Sequence, residues 1–244
     1  MKKIIDIISI MPEYFDSFLA AGLIRRSIKD GIIEINIINP RTFSKDKYKR
    51  VDEKIYGGGA GQLLMAEPIL KAWKYANLTC NKKYSSGNIT AINTQTIIMS
   101  ASGKLLSNSS AKDFAAFDHL IIICGRYEGI DARVTGLTNA VEISIGDYIL
   151  SGGEIAGIVL IESVARYIDG FLGNTESLKE ESFCEGISEG CRLLEYPQYT
   201  KPREIYGMKV PAVLLSGNHK LINKWRIKNA IRKTKMNRPG LLKS

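Results

Sequence analysis

Residues 120–153 read LIIICGRYEGIDARVTGLTNAVEISIGDYILSGG, and this stretch decides the fold. Two short apolar runs, Leu120–Cys124 and Val141–Ile145, each stop at a glycine-bearing polar loop, GRYEG in the first case and GDYILSGG in the second. Upstream, Thr96–Met99 stops in the same way at SASG. Runs of β-branched residues that end in small-residue loops and are followed by helical stretches predict parallel strands, because a parallel crossover needs a helix-length segment. The C-terminal ends of such strands gather loops on one edge of a sheet, where α/β proteins hold ligands. The fold class is therefore α/β with a parallel sheet, and these three loops are where a ligand site is expected.

Outward from this stretch the same alternation continues. Residues 3–10 predict a buried strand, Met11–Pro12 opens a helix whose inner face is Phe15, Phe18, Leu19, Leu23 and Ile28, and Gly31 ends it. Ile32–Ile38 is a second strand, stopped by Asn39–Pro40. Further helices are expected over Ala66–Ala76, Ser109–Phe117, Glu128–Leu137 and Glu154–Ile168, with Asn77–Asn93 as a polar, exposed connection. Residues 170–195 change character, with four glycines among six glutamates, and read as a flexible linker. Beyond it, helix Lys220–Lys233 presents Leu221, Ile222, Trp225, Ile227 and Ile231 as its inner face. The expected division is a 1–169 α/β domain, a 170–195 linker and a small helical, basic 196–244 domain.

Composition limits the function classes. At 244 residues and 45% apolar, the chain can bury a sizeable core. The longest near-apolar stretch, Ile155–Ile161, is far too short to span a membrane. MKKIIDIIS carries Asp6 inside its apolar run and no small-residue cleavage site, so a cytoplasmic location is expected. The four cysteines, 80, 124, 184 and 191, form no C-x-x-C pair, and the two histidines give little for a triad or a metal centre. His119, just before an apolar strand, reads as structural. Net charge is +9, and no acidic residue follows Glu204 while ten lysines and arginines do, which points to a polyanionic partner such as nucleic acid or else to a solvated basic helix.

Residues 41–61, RTFSKDKYKRVDEKIYGGGAG, interrupt the alternation. Arg41, Lys45, Lys47, Lys49 and Arg50 interleave with Phe43 and Tyr48, a mixture suited to phosphate contact and base stacking. The glycines that follow let a backbone approach a ligand closely. Gly57, Gly59 and Gly61 satisfy G-x-G-x-G, but charged VDEKIY precedes them where a nucleotide-binding loop needs an apolar strand, and no P-loop motif is present.

VDEKIYGGGAG, CGRYEGIDAR, SIGDYILSGGE, ESVARYIDGFLG, YPQYTKP and HKLINKWR, in this order and at these separations, make the chain resemble the bacterial tRNA (guanine-N1)-methyltransferases over nearly its whole length. The resemblance implies a SPOUT-class fold in which the chain around residues 99–153 forms a deep trefoil knot, a feature that neither periodicity nor composition indicates. It also implies a homodimer with sites at the subunit interface, S-adenosylmethionine as methyl donor, and N1 of the guanosine immediately 3′ of the tRNA anticodon as acceptor. A divalent-ion requirement does not follow from the sequence. A knotted RNA-binding protein without catalysis, and a methyltransferase acting on another RNA, are the alternatives.

Carried over position by position, the donor pocket would use Ile98, Met99, Ser100 and Ala101 from the first loop and Gly125, Tyr127 and Glu128 from the second. The third would add Ile145, Gly146, Asp147, Tyr148, Ile149, Leu150, Gly152 and Gly153. Asp52, Gly57, Gly58, Gly59 and Ser177 would lie near the target guanine and its neighbours. Guanine N1 carries a proton and attacks well only once that proton leaves, so a carboxylate near N1 and a cation near O6 are the expected machinery. Arg166 in SVARYIDG matches the family's cation. The family's base is an Asp; counted without gaps from GFLG, with Ser182–Phe183 in register, that position is Glu181 here, one methylene longer. Glu180 and Glu185 are the other carboxylates within reach. Two more departures are an apparent insertion near Ile187–Arg192 and Tyr48 where relatives often carry His.

Overall fold

The structure, a computed structural model, describes residues 2–84, 92–174, 181–183 and 192–242. Two compact units divide the chain, Met1–Leu172 and Gly173–Ser244.

The first unit is built on a five-stranded sheet of β1 (Lys3–Ile8), β2 (Ile33–Ile38), β5 (Thr94–Leu105), β6 (His119–Cys124) and β7 (Val141–Ser144), in the order β2-β1-β6-β5-β7. Every pairing in it is parallel. β1 and β6 are buried along their whole length, as central strands covered on both faces must be. Alternation then divides the core. Ile5, Ile7, Leu120, Ile122 and Cys124 face helix α6 (Glu154–Ala165) through Leu160, Ile161 and Val164. Ile8, Ile121, Ile123 and Ile98 face α3 (Ala66–Tyr84) through Ile69, Ala72 and Ala76, and α5 (Arg133–Thr138) through Val134. A short antiparallel hairpin, β3 (Asp52–Lys54) and β4 (Gln62–Leu64), stands apart from the sheet.

Several expectations are corrected. The single helix expected after Met11 is a 3-10 turn (Pro12–Phe15) followed by α1 (Asp16–Leu19) and α2 (Gly22–Lys29), because Gly22 takes φ +60° and Ala21 is extended. SASG does not end its strand: β5 runs on to Leu105, and residues 100–103 form a bulge after which the pairing with β7 resumes in a shifted register. Gly103 permits this, since a Cβ there would lie 2.5 Å from the β7 backbone at Ile143 N. The first eight residues of the expected connection after Ala76 are helical. Cys80 extends the buried row of Ile69, Ala72 and Ala76, and Lys83 and Tyr84 both donate to Glu34 at 2.6 Å. Residues 128–132 form a turn rather than the start of α5, because their backbone is committed to β4. α6 falls within its expected range, and α4 (Asn108–Ala115) begins one residue before the expected Ser109 and ends two before Phe117. His119 is buried in β6, its Nε2 3.0 Å from Asp6 Oδ2, a structural role as expected.

The first unit runs on past the end of α6: Phe171 is buried in the sheet's core and its carbonyl accepts from Arg26 Nη2 at 2.7 Å. In the second unit, α7 (His219–Asn237) carries a small core of Leu193, Tyr196 and Ala230 with Trp225 against it. Leu221 and Ile231, expected on the inner face, are exposed; the buried positions are the small Ala230 and Thr234. Small residues let segment 192–196 approach closely enough for Leu194 N to donate to Thr234 Oγ1 at 2.8 Å. A two-residue hairpin of β8 (Glu204–Ile205) and β9 (Met208–Lys209) precedes the helix. Among the described residues no helix is long and apolar enough to cross a membrane.

Candidate functional site

The C-terminal ends of β5, β6 and β7 open on a cavity of about 580 Å³. Ile98, Met99, Ser100 and Ala101 contribute from β5 and its bulge, Gly125, Tyr127 and Glu128 from the loop after β6, and Ile145, Gly146, Tyr148, Ile149, Leu150, Gly152 and Gly153 from the loop after β7. Asp147 is exposed and stands outside this lining. The three loops converge because the backbone joins them. Gly153 N donates to Gly125 O at 2.8 Å, and Arg126 and Gly152 form an antiparallel bridge. Gly153 is required by that approach, since a Cβ would lie 3.0 Å from Cys124 Cα and Gly125 N. Tyr127 holds φ +60°, a left-handed conformation uncommon for an aromatic residue and of the sort that collects at ligand sites.

Beneath the second and third loops lies a polar cluster. Glu154, at the start of α6, is only 1% exposed, and its carboxylate accepts from Ser9 Oγ at 2.8 Å and Arg126 Nε at 3.0 Å. The Arg126 guanidinium lies over the Tyr14 ring, 4.8 Å from its centroid, while its Nη2 is buried without an acceptor among the described residues. Gly152 crosses directly over the pair; a Cβ there would be 2.5 Å from Arg126 Nε and closer still to Glu154 Oε2. Cys124 is no nucleophile, because burial, with Glu154 nearby, pushes its thiol well above the ordinary range. A second carboxylate in the lining, Glu142 on β7, is held by Thr135 Oγ1 at 2.9 Å. Neither Arg126 nor Glu142 was expected in the lining. Arg126 sits inside GRYEG, so its place between two lining residues was the available signal.

The hairpin that carries the glycine-rich segment is tied to the second loop by three backbone hydrogen bonds of 3.0 Å, Glu128 N to Gln62 O, Leu64 N to Gly129 O and Asp131 N to Leu64 O. Gly61 lies over the Glu128 side chain, leaving no space for a Cβ. Asp52 starts this hairpin, and Gly57, Gly58 and Gly59 form its tip with φ of +89°, +84° and +123°. Residues read separately as donor-pocket and RNA-binding therefore belong to one connected structure. A larger hollow of about 750 Å³ between the hairpin, α3 and α5 is walled by apolar groups such as Ile55, Leu63 and Leu70. Four of its charges are paired with each other, Arg133 with Asp131 at 2.5 Å and Lys71 with Glu67 at 2.8 Å.

In the basic stretch 41–50, Phe43 turns inward and packs on Tyr75 of α3, ring centroids 5.6 Å apart. Tyr48 is 74% exposed, with Lys47 Nζ and Arg50 Cζ 5.8 and 5.9 Å from its ring. Asp46 pins the turn by accepting from Arg50 Nη2 at 2.7 Å and Tyr48 N at 2.7 Å. Arg166 is the half-buried cap residue that ends α6 in the first unit, and Glu181 belongs to the second. Ser177, Glu180, Glu185 and most of the stretch 187–192 lie outside the described residues.

Comparison with known proteins identifies the family. The family model described as tRNA (Guanine-1)-methyltransferase TrmD matches residues 1–244. A tRNA (guanine-N(1)-)-methyltransferase of Sulfurihydrogenibium sp. (strain YO3AOP1) is 49% identical over 238 residues, 98% of this chain and 87% of that protein. Proteins of the same name from Dictyoglomus turgidum and Clostridioides difficile (strain 630) are 43% and 42% identical over 98% and 97% of this chain, and 89% and 96% of their own. With its strand-end loops, glycine hairpin and full-length match, the chain belongs to the tRNA (guanine-1)-methyltransferase family.

Proposed function

We propose that this protein transfers a methyl group from S-adenosylmethionine to N1 of the guanosine immediately 3′ of the anticodon in tRNA. Family membership over the whole chain supports the reaction. The observation that carries the site is the cavity closed by three strand-end loops and joined by backbone bonds to the glycine hairpin.

The cavity fits the donor. Its volume suits a nucleoside-sized ligand, and its lining mixes apolar side chains with loop backbone that can hold adenine and ribose. Arg126 Nη2, which has no acceptor among the described residues, can donate to an acceptor group of the ligand. Bound S-adenosylmethionine supplies a methyl group on a sulfonium, a good leaving group that needs no enzyme nucleophile. The loops after β5, β6 and β7 hold it, and the glycines at 125, 152 and 153 keep the backbone close. Asp52 and the hairpin tip at Gly57–Gly59, with Ser177, receive the target guanine and its neighbours, out of the base stack. Glu181 takes the proton from N1 as general base, and Arg166 stabilises the charge that develops at O6.

The fold is the knotted SPOUT type. The Gly153–Gly125 bond and the Arg126–Gly152 bridge support this, since they run the segment after β7 alongside the loop after β6. The working form is a cytoplasmic homodimer with sites at the subunit interface. The first unit holds the donor, and the second, which carries a run of basic residues without acids after Glu204, holds the anticodon arm.

Primer extension on tRNA treated with enzyme and donor tests the reading: a stop at the guanosine beside the anticodon is expected. A tRNA that binds and yet shows no stop and takes up no labelled methyl group would instead identify an RNA-binding protein without catalysis.

A further inference from the structure

The β8–β9 hairpin turns through Tyr206 and Gly207, both at positive φ, +48° and +79°. A two-residue turn of this kind favours Asn, Asp or Gly at its first position, since an ordinary side chain is strained there. Tyrosine nonetheless occupies it, and its side chain is wholly exposed, packing on nothing. Stability of the turn therefore does not account for the choice. Ile205 and Met208, a cross-strand pair on one face of the ribbon, are also exposed, Met208 at 81%. Lys201, Arg203 and Lys209, all exposed, lie within five residues of Tyr206 along the chain, and the one acid between residues 201 and 210, Glu204, is partnered by Lys209 at 3.6 Å.

We propose that this hairpin tip is a stacking contact for an unpaired base of the bound tRNA, with Tyr206 as the platform and the flanking lysines and arginine on the adjacent phosphates. The charge selects the partner. The chain after Glu204 has ten basic residues and no acid, so a polyanion is drawn to this surface, and an aromatic ring rimmed by cations is the arrangement that takes a base together with its backbone. The inference rests on the tRNA reading above and adds a contact to it that lies outside the donor cavity.

The test exploits the strained turn. Tyr206→Asn removes the ring but puts a residue suited to positive φ in its place, so the full-length variant should melt no lower than the parent. In anisotropy titrations with a fluorescein-labelled tRNA transcript bearing G beside the anticodon, Tyr206→Asn should bind about tenfold more weakly, and Tyr206→Phe within about twofold of the parent, because a phenyl ring stacks as well as a phenol. KM for tRNA should rise in the Asn variant while kcat and S-adenosylmethionine affinity stay unchanged. Parent-like tRNA binding by Tyr206→Asn, in a protein that methylates tRNA normally, overturns the hairpin contact alone. A change in sedimentation mass or in binding to anionic vesicles, with tRNA affinity unmoved, also overturns it by assigning the tip to another partner. A parent that binds no tRNA defeats both this inference and the reading beneath it.

Discussion

Arg126 Nε lies 3.0 Å from the buried carboxylate of Glu154, and Gly152 passes over the pair with no space for a side chain. The loop after β6 and the loop after β7 are thus locked to each other by a charge pair that also fixes the start of α6. Gly152→Ala must force these groups apart. The expected cost is about 2 kcal/mol of stability, with at least tenfold weaker S-adenosylmethionine binding. Glu154→Gln leaves a buried cation without its counter-charge and should cost about 3 kcal/mol. Ser9→Ala, which removes the hydrogen bond to Glu154 and the one Ser9 Oγ accepts from Met11 N but leaves the ion pair in place, should cost about 1–2 kcal/mol and leave donor affinity nearly unchanged. Urea unfolding and calorimetric titration with the donor measure all three. Normal donor binding by Gly152→Ala would show that the two loops need not be locked for the cavity to form.

Glu181 is proposed above as the general base that removes the N1 proton. Glu181→Gln keeps size and polarity but cannot accept that proton, so single-turnover methyl transfer should fall at least a hundredfold with tRNA and donor affinities retained. Glu181→Asp should keep substantial activity. Equal rates for Gln and Glu enzymes would move the base to another carboxylate. Arg166→Lys should retain part of the rate and Arg166→Ala little, because the task proposed for this cation arises only as charge develops at O6.

Much of the first unit was legible in the sequence because its central strands are buried on both faces. Ile4–Ile8, interrupted only by Asp6, and Leu120–Cys124 could be recognised as apolar runs, and the loop after the second by its glycines. What escaped were features decided by non-local contacts. SASG resembles a strand-ending loop, and only β7 lying alongside turns it into a bulge. Residues 77–84 look polar, yet Glu34 on β2 holds Lys83 and Tyr84 and so carries the helix onward. On α7 the eye follows Leu221 and Ile231, while the approach of segment 192–196 selects Ala230 and Thr234 for burial. For the site, the glycines at 125, 152 and 153 were visible as turn residues. That Gly152 makes room for an ion pair was not, since Arg126 and Glu154 are distant in sequence.

The two aromatics of the basic stretch should separate cleanly on mutation. Phe43 packs on Tyr75, so Phe43→Ala should cost roughly 2 kcal/mol of stability. Tyr48 is exposed between two cations, so Tyr48→Ala should leave stability unchanged and weaken tRNA binding by about tenfold. Parent affinity itself should fall at least a hundredfold between about 50 and 200 mM salt, because lysines and arginines release counterions from the phosphates they meet. Filter binding across a salt series measures both effects. A flat salt dependence would remove the basic stretch and the second unit from the RNA surface.

Two buried or half-covered charges in the first unit set opposite limbs of its pH–stability curve. Burial raises the Glu34 carboxyl, but bonds from Lys83, Tyr84 and Lys2 outweigh it and bring the group to about 2. As acid is added the unfolded chain takes up this proton first, so the stabilisation is complete above about pH 4.5 and is lost as pH falls toward about 2. Exposure of the two lysines limits it to about 1–2 kcal/mol. Lys3 acts at the other end. Its ammonium donates to the carbonyls of Phe114, Ala115 and Phe117, and burial, partly offset by Asp118, lowers it from 10.5 to about 8. The folded chain releases this proton first as pH rises, so Lys3 adds stability between about pH 8 and 10.5, up to roughly 3 kcal/mol. Urea midpoints measured across pH should therefore show a shallower acid limb for Glu34→Gln than for the parent. Lys3→Met should lack the alkaline gain. Parent and Lys3→Met curves that stay parallel from about pH 8 to 10.5 would mean that the Lys3 ammonium keeps its proton inside the fold.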